Sequence, residues 1–241
     1  MFYTLEKNTI DIYYSSIRNL QLSKGCKLTG TGLCKAIMRE AFSDIKVPED
    51  FLNQAETGYL CNLKGKKRRD EFIYSRLILK NLLAYNLNSI PKDILLTRNE
   101  YGKPYLTDAE QLKFNITHSR SFVACAATLE HEIGIDVEEE SRDITGVAKS
   151  FFCEAETAYL MSIAQHLRNS EACRLWTMKE SYVKALGKGM TVPFDSFNVL
   201  GDKDGFFYTM KLDGCCYLSV SVPGRINDFT VRTKEIMIEQ Y

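Results

Sequence analysis

The run Gly134-Ile135-Asp136-Val137-Glu138 sets two carboxylates two residues apart among β-branched neighbours. On a strand, alternate side chains share a face, so Ile133, Ile135 and Val137 point into a core. Asp136 and Glu138 then project together from the other face, about 7 Å apart at ~3.3 Å rise per residue. Two acids held on a rigid support repel unless something positive lies between them, and an oxygen-seeking divalent cation such as Mg²⁺ is the natural candidate. Gly134, on the same face, leaves room for a ligand to approach the backbone. An amphipathic strand with an acidic solvent face is the simpler account of the same letters.

A second chemical element lies forty residues on, in Arg174-Leu-Trp-Thr-Met-Lys-Glu-Ser-Tyr-Val-Lys-Ala-Leu-Gly-Lys-Gly189. As a helix, it aligns Leu175, Met178, Tyr182 and Leu186 on an apolar stripe, and Trp176, Glu180 and Lys184 on another. A Glu followed by a Lys one turn later is an ordinary stabilising surface pair. The active alternative has Glu180 completing a metal site with Asp136 and Glu138, while Lys184 faces a phosphoryl group. Three carboxylates, one divalent ion and one lysine balance in charge. A third element, Phe114-Asn-Ile-Thr-His-Ser119, ends a short strand in hydroxyls and an imidazole suited to hydrogen-bonding a phosphate.

The elements that must position these groups follow from periodicity. Helical recurrence at Phe72, Ile73, Leu77, Leu79, Leu82 and Leu83 predicts a helix over 70–87, with Arg68 and Arg69 at its start. Asn99 to Pro104 reads as a turn in which Pro104 holds Lys103 extended. Strands are expected over 114–117, 122–129 and 133–137, helices over 153–168 and 171–187, and β-rich pieces between turns in the tail, such as 217–222 and 229–232. This order indicates an α+β fold. A long helix followed by strands occurs twice, with a seam near residue 130, which hints at duplication.

Composition limits the function classes. The 241 residues carry 31 Lys plus Arg and 31 Asp plus Glu, a net charge of zero, which excludes a uniformly basic nucleic-acid coat. Charge is nevertheless concentrated: five cations stand among residues 64–69 and six acids among 130–140. Glu6 and Asp11 interrupt the apolar run a signal peptide needs, and no stretch is long enough to span a bilayer, so a cytoplasmic location is expected. The eight cysteines form no C-x-x-C pair, and with three histidines they give no zinc pattern; reduced, packed thiols are expected.

Taken in order, Tyr101-Gly-Lys-Pro104, Phe114-Asn-Ile-Thr-His-Ser119, Gly134-Ile-Asp-Val-Glu138, Phe151-Phe-Cys-Glu-Ala-Glu156 and Trp176-Thr-Met-Lys-Glu-Ser-Tyr-Val-Lys184 resemble the successive motifs of the 4′-phosphopantetheinyl transferases. The length is similar to that of the Sfp type. The resemblance implies two similar α+β halves related by a pseudo-twofold, residues 1–130 and 131–241, with the active site at their interface. It implies a monomer that transfers the 4′-phosphopantetheine of coenzyme A to a serine of an apo acyl or peptidyl carrier protein, releasing adenosine 3′,5′-bisphosphate. Asp136, Glu138 and Glu180 would hold Mg²⁺, with Glu138 replaceable by water. Glu180 and Lys184 would be catalytic, Glu180 as base for the serine. Arg69, Arg76, Lys103, Thr117, His118, Asp136 and Lys184 would bind coenzyme A, with Arg68 the alternative to Arg69. Threonine stands at position 117 where the family usually has serine. The segment 141–152, with Val147, Phe151 and Phe152, is the expected carrier-docking surface. Competing readings are a non-catalytic coenzyme A or carrier-binding module and a Mg²⁺-dependent nuclease.

Overall fold

The computed structural model describes residues 2–17, 51–140, 144, 146, 150–201, 205–224 and 228–236. Strand β1 (Thr9–Ser16) is followed by helix α1 (Gln54–Asn62), the long helix α2 (Lys66–Leu87), a two-residue hairpin β2 (Thr97–Arg98) and β3 (Pro104–Tyr105), and strands β4 (Leu112–His118) and β5 (Phe122–Leu129). The same order then recurs: β6 (Gly134–Glu139), α3 (Glu154–Ser162), the long α4 (Arg168–Leu186), β7 (Gly205–Leu212) and β8 (Cys216–Pro223). A last strand, β9 (Thr230–Glu235), ends the described chain.

The two larger sheets repeat one topology. The first runs β4-β5-β1-β9 and the second β6-β8-β7, so in each half the strand after the helices pairs with the next, which pairs with the first. Residues alternate between two burial environments. Val123, Cys125 and Ala127 of β5 face α2, whereas Ala124 and Ala126 join Ile10 and Ile12 of β1 against Ile135, Val137, Leu218 and Val220 of the other sheet. The sheets thus share one core, and each buries its opposite face under its own long helix. A strand covered on both faces is apolar throughout, which is why β5 reads as an unbroken run.

The last strand crosses between the halves. β9 pairs in parallel with β1, and Arg232 grips the buried Asp11 with Nε–Oδ1 and Nη2–Oδ2 distances of 2.6 and 2.9 Å.

Three expectations need correction. The helix expected over 153–168 stops at Ser162 because Arg168 reaches back, donating from Nε to the Ile163 carbonyl at 3.2 Å and from Nη2 to that of Met161 at 3.0 Å. These bonds satisfy carbonyls that a continuing helix would have used. The long helix, expected to start at Arg68 and Arg69, starts two residues earlier at Lys66, entered through Gly65 at φ 89°, a backbone angle suited to glycine. Of the expected docking surface, Phe152 is buried and Phe151 packs edge-on to Trp176 and Phe194, so both serve the second-half core. Val147 lies outside the described residues. Among the described residues no helix is long and apolar enough to cross a membrane.

Candidate active site

Asp136 sits on the helix-facing side of β6, as the alternation with the core residues Ile135 and Val137 requires. It is 5% exposed. Its Oδ1 accepts from Lys184 Nζ at 2.6 Å and from Thr117 Oγ1 at 3.2 Å, and Lys184 Nζ also donates to Thr117 Oγ1 at 3.2 Å. Three elements from both halves (β4, β6 and α4) therefore meet at one carboxylate. Its second oxygen, Oδ2, is buried without a hydrogen-bond partner. A buried anionic oxygen left in that state is costly, and it marks a point where a cation would be favoured. Glu138 is half-buried one pleat further along the same face. The charges of Glu138, Glu140 and Asp136 add to burial in pushing the thiol of Cys173, on α4, up to about 12.

Close packing of α4 on β6 makes this meeting possible. A Cβ at Gly134 would lie 1.9 Å from the Ser181 carbonyl oxygen and 2.4 Å from the Ala185 nitrogen. The expectation that Gly134 admits a ligand is corrected: the helix backbone itself occupies that space. Buried Ser219 and Ser221 on β8 keep the surface under the helix equally low. From β4, Asn115 Oδ1 accepts from the Ile135 amide at 3.1 Å and ties the two sheets together at the site.

Glu180 and Lys184, one turn apart, line a cavity of about 250 Å³ with Asn115, Ile116, Lys103 and Met190. Among the described residues no three His, Cys, Asp or Glu side chains are gathered closely enough to hold a metal ion, so Asp136, Glu138 and Glu180 share the region without forming a closed cluster. Ile116 also borders a second cavity of about 380 Å³, lined by Arg68, Arg76, Arg98, His118, Ser75 and Tyr59 among others. One end of this composite site is carboxylate and lysine; the other is rich in arginine. Burial lowers the pKa of Arg76, with Glu56 opposing the shift.

The remaining expected residues divide. Arg76 and the exposed His118 line the arginine-rich cavity. Arg68 does so as well, because residues 68, 72, 75 and 76 share a helix face. Arg69, turned about 100° from Arg68, instead donates from Nε to the Leu63 carbonyl at 2.8 Å. Lys103 donates to Glu132 Oε2 at 2.6 Å and to the Ala185 carbonyl at 2.8 Å, near the electronegative end of α4. Asn99 adds a bond to the Gly187 carbonyl at 2.8 Å, so the Gly-Lys-Pro turn docks on the end of the catalytic-helix candidate. Sequence reasoning passed over Arg98, which lies in the hairpin before that turn and lines the larger cavity.

Comparison with known proteins gives the site its family. A model described as the 4′-phosphopantetheinyl transferase superfamily matches residues 132–228, and one described as the N-terminal part of 4′-phosphopantetheinyl transferase matches residues 43–130. The 4′-phosphopantetheinyl transferase gsp of Aneurinibacillus migulanus is 35% identical over 165 residues, which cover 64% of this chain and 68% of the relative. The Bacillus subtilis 4′-phosphopantetheinyl transferase ffp is 34% identical over 168 residues, covering 64% and 74%. Sfp of Bacillus subtilis strain 168 is 34% identical over 129 residues, covering 54% and 57%. The chain belongs to the 4′-phosphopantetheinyl transferases, in their Sfp type, and is an enzyme of that activity.

Proposed function

We propose that this enzyme transfers the 4′-phosphopantetheine arm of coenzyme A to a serine hydroxyl of an apo carrier protein, leaving adenosine 3′,5′-bisphosphate. The observation that carries the reading is the meeting of Asp136, Thr117 and Lys184 beside the cavity lined by Glu180. The arginine-rich cavity suits the phosphates of the nucleotide half, held by Arg68, Arg76, Arg98 and His118. The smaller cavity, with Ile116, Val183 and Met190, suits the less polar pantetheine arm.

Transfer forms a bond from the serine oxygen to the phosphorus bearing the arm and breaks that phosphorus's bond to the bridging oxygen of the pyrophosphate. Glu180 accepts the serine proton as the new bond forms. Lys184 donates to the phosphoryl oxygens, where negative charge concentrates, and Thr117 keeps its ammonium in place. Asp136, with its unpartnered Oδ2, would be the first oxygen ligand of Mg²⁺; Glu138 and Glu180, which form no closed cluster with it, would have to draw in to complete a donor set whose all-oxygen chemistry fits that ion. Such an ion supplies charge neutralisation at the pyrophosphate. Both halves lie in one chain, so the protein is read as working as a monomer.

The test is incubation with coenzyme A, Mg²⁺ and a panel of apo carrier proteins. The expected product is a carrier heavier by one phosphopantetheine group at a single serine. Glu180→Gln should lower kcat by about 10²–10⁴ with the fold intact. An unmodified panel, or a fully active Glu180→Gln enzyme, overturns the reading.

A further inference from the structure

In each half of the molecule a carboxylate from the shorter helix grips a fully buried lysine that the transfer chemistry does not use. In the second half, Glu156 and Lys179 are both fully buried, with Lys179 Nζ 2.8 Å from Glu156 Oε2. Lys179 also donates to the carbonyls of Phe194 and Phe197, both at 2.6 Å. Glu156 accepts from the amide of Cys153 at 3.0 Å, at the start of α3, and from that of Val199 at 2.9 Å. The start of α3, the segment 194–199 and α4 are therefore joined at the residue next to Glu180. In the first half, Glu56 accepts from the Asn53 amide at 3.1 Å, at the start of α1, and from Lys80 Nζ of α2 at 2.5 Å. Its other oxygen lies 3.1 Å from Arg76 Nε, an ion contact whose angles fall short of a hydrogen bond.

The two hubs are copies. Phe51-Leu-Asn-Gln-Ala-Glu56 and Phe151-Phe-Cys-Glu-Ala-Glu156 repeat the pattern Phe-x-x-x-Ala-Glu, and each Glu is gripped by a lysine from the following long helix. Stability is a weak reason to retain them, since a buried ion pair can often be replaced by well-packed apolar residues without loss. Direction is a better one. Turning α4 by a single residue position would swing Glu180 about 100° away from its cavity.

We infer that both pairs are positioning devices serving opposite ends of the active site. Glu156, acting through Lys179, fixes the rotation of α4 and so the aim of Glu180, while Glu56 holds Arg76 toward the arginine-rich cavity. The inference rests on the transfer chemistry proposed above, and it assigns the second-half pair to kcat and the first-half carboxylate to coenzyme A binding.

The experiment is steady-state kinetics on three full-length variants, with folding followed by circular dichroism. Glu56→Gln, made with Lys80→Met so that no buried lysine loses its counter-charge, should raise KM for coenzyme A about tenfold and leave kcat within twofold. Glu156→Gln leaves a buried lysine unpaired and can unfold, so the deciding variant is Glu156→Gln with Lys179→Met, which removes both charges. That double variant should melt within a few degrees of wild type yet keep a kcat at least tenfold reduced, with KM for coenzyme A within twofold. Recovery of wild-type kcat together with stability would make the pair merely structural and overturn the inference. So would a double variant of either half that does not fold, or a first-half variant whose loss lies in kcat. A wild-type enzyme inactive on every carrier, or a fully active Glu180→Gln, counts against the transfer chemistry instead.

Discussion

At the scale of single residues, the site divides labour along its length. Asp136 is held by two donors on one oxygen and by none on the other, whereas Arg68 and Arg76 stand in the wider, arginine-rich cavity. Adjacent arginines at the start of α2 therefore differ in use. Arg68 faces the cavity and Arg69 is spent on the Leu63 carbonyl. Arg68→Ala should raise KM for coenzyme A about tenfold with kcat unchanged, the loss of one charge-assisted contact, and Arg69→Ala should leave KM within twofold. Kinetics at varied coenzyme A decides between them, and a larger effect at Arg69 would reverse the assignment. Which of the two enters the cavity was not legible in the letters, because the start of the helix sets their rotation. That start depends on the backbone of Gly65 rather than on any apolar pattern.

At the scale of elements, the contacts of the candidate site exist because α4 lies almost directly on β6. Gly134 and the low seam of Ser219 and Ser221 beneath the helix permit that approach. Gly134→Ala would thrust a methyl group into the Ser181 carbonyl, so it should cost about 3 kcal/mol, the upper part of the range for overpacking, and reduce transfer steeply. Urea denaturation measures the first effect, and an alanine variant of wild-type stability would refute the packing argument. The strand and helix themselves were legible: Ile135 and Val137 alternate with Asp136 and Glu138, and Glu180 and Lys184 stand one turn apart. The reason for Gly134 was not, since a glycine beside two carboxylates reads equally well as space for a ligand. Only the helix seated over it distinguishes the two. The break after Ser162 was hidden for a similar reason, as it depends on Arg168 reaching back to two carbonyls.

At the scale of the whole molecule, two copies of one strand–helix–helix–strand–strand unit have specialised. Thr9-Ile-Asp-Ile12 on β1 echoes Gly134-Ile-Asp-Val137 on β6, and the Phe-x-x-x-Ala-Glu pattern recurs at an offset of 100 residues. The letters that survive in both halves are those of core, cap and buried carboxylate, too few for a repeat to be evident until the topology aligns them. Asp11 is closed off by Arg232 from β9, while its counterpart Asp136 meets a lysine at the edge of a cavity. On the proposed chemistry, Asp136 of β6 and Lys184 of α4 act as one site. A double-mutant cycle on kcat/KM for carrier-protein modification, using Asp136→Asn, Lys184→Ala and the combined variant, addresses it directly. Groups acting as a unit give a combined loss close to that of the more damaging single change. Losses that simply multiply would mean that the two residues work independently, and no shared site would exist.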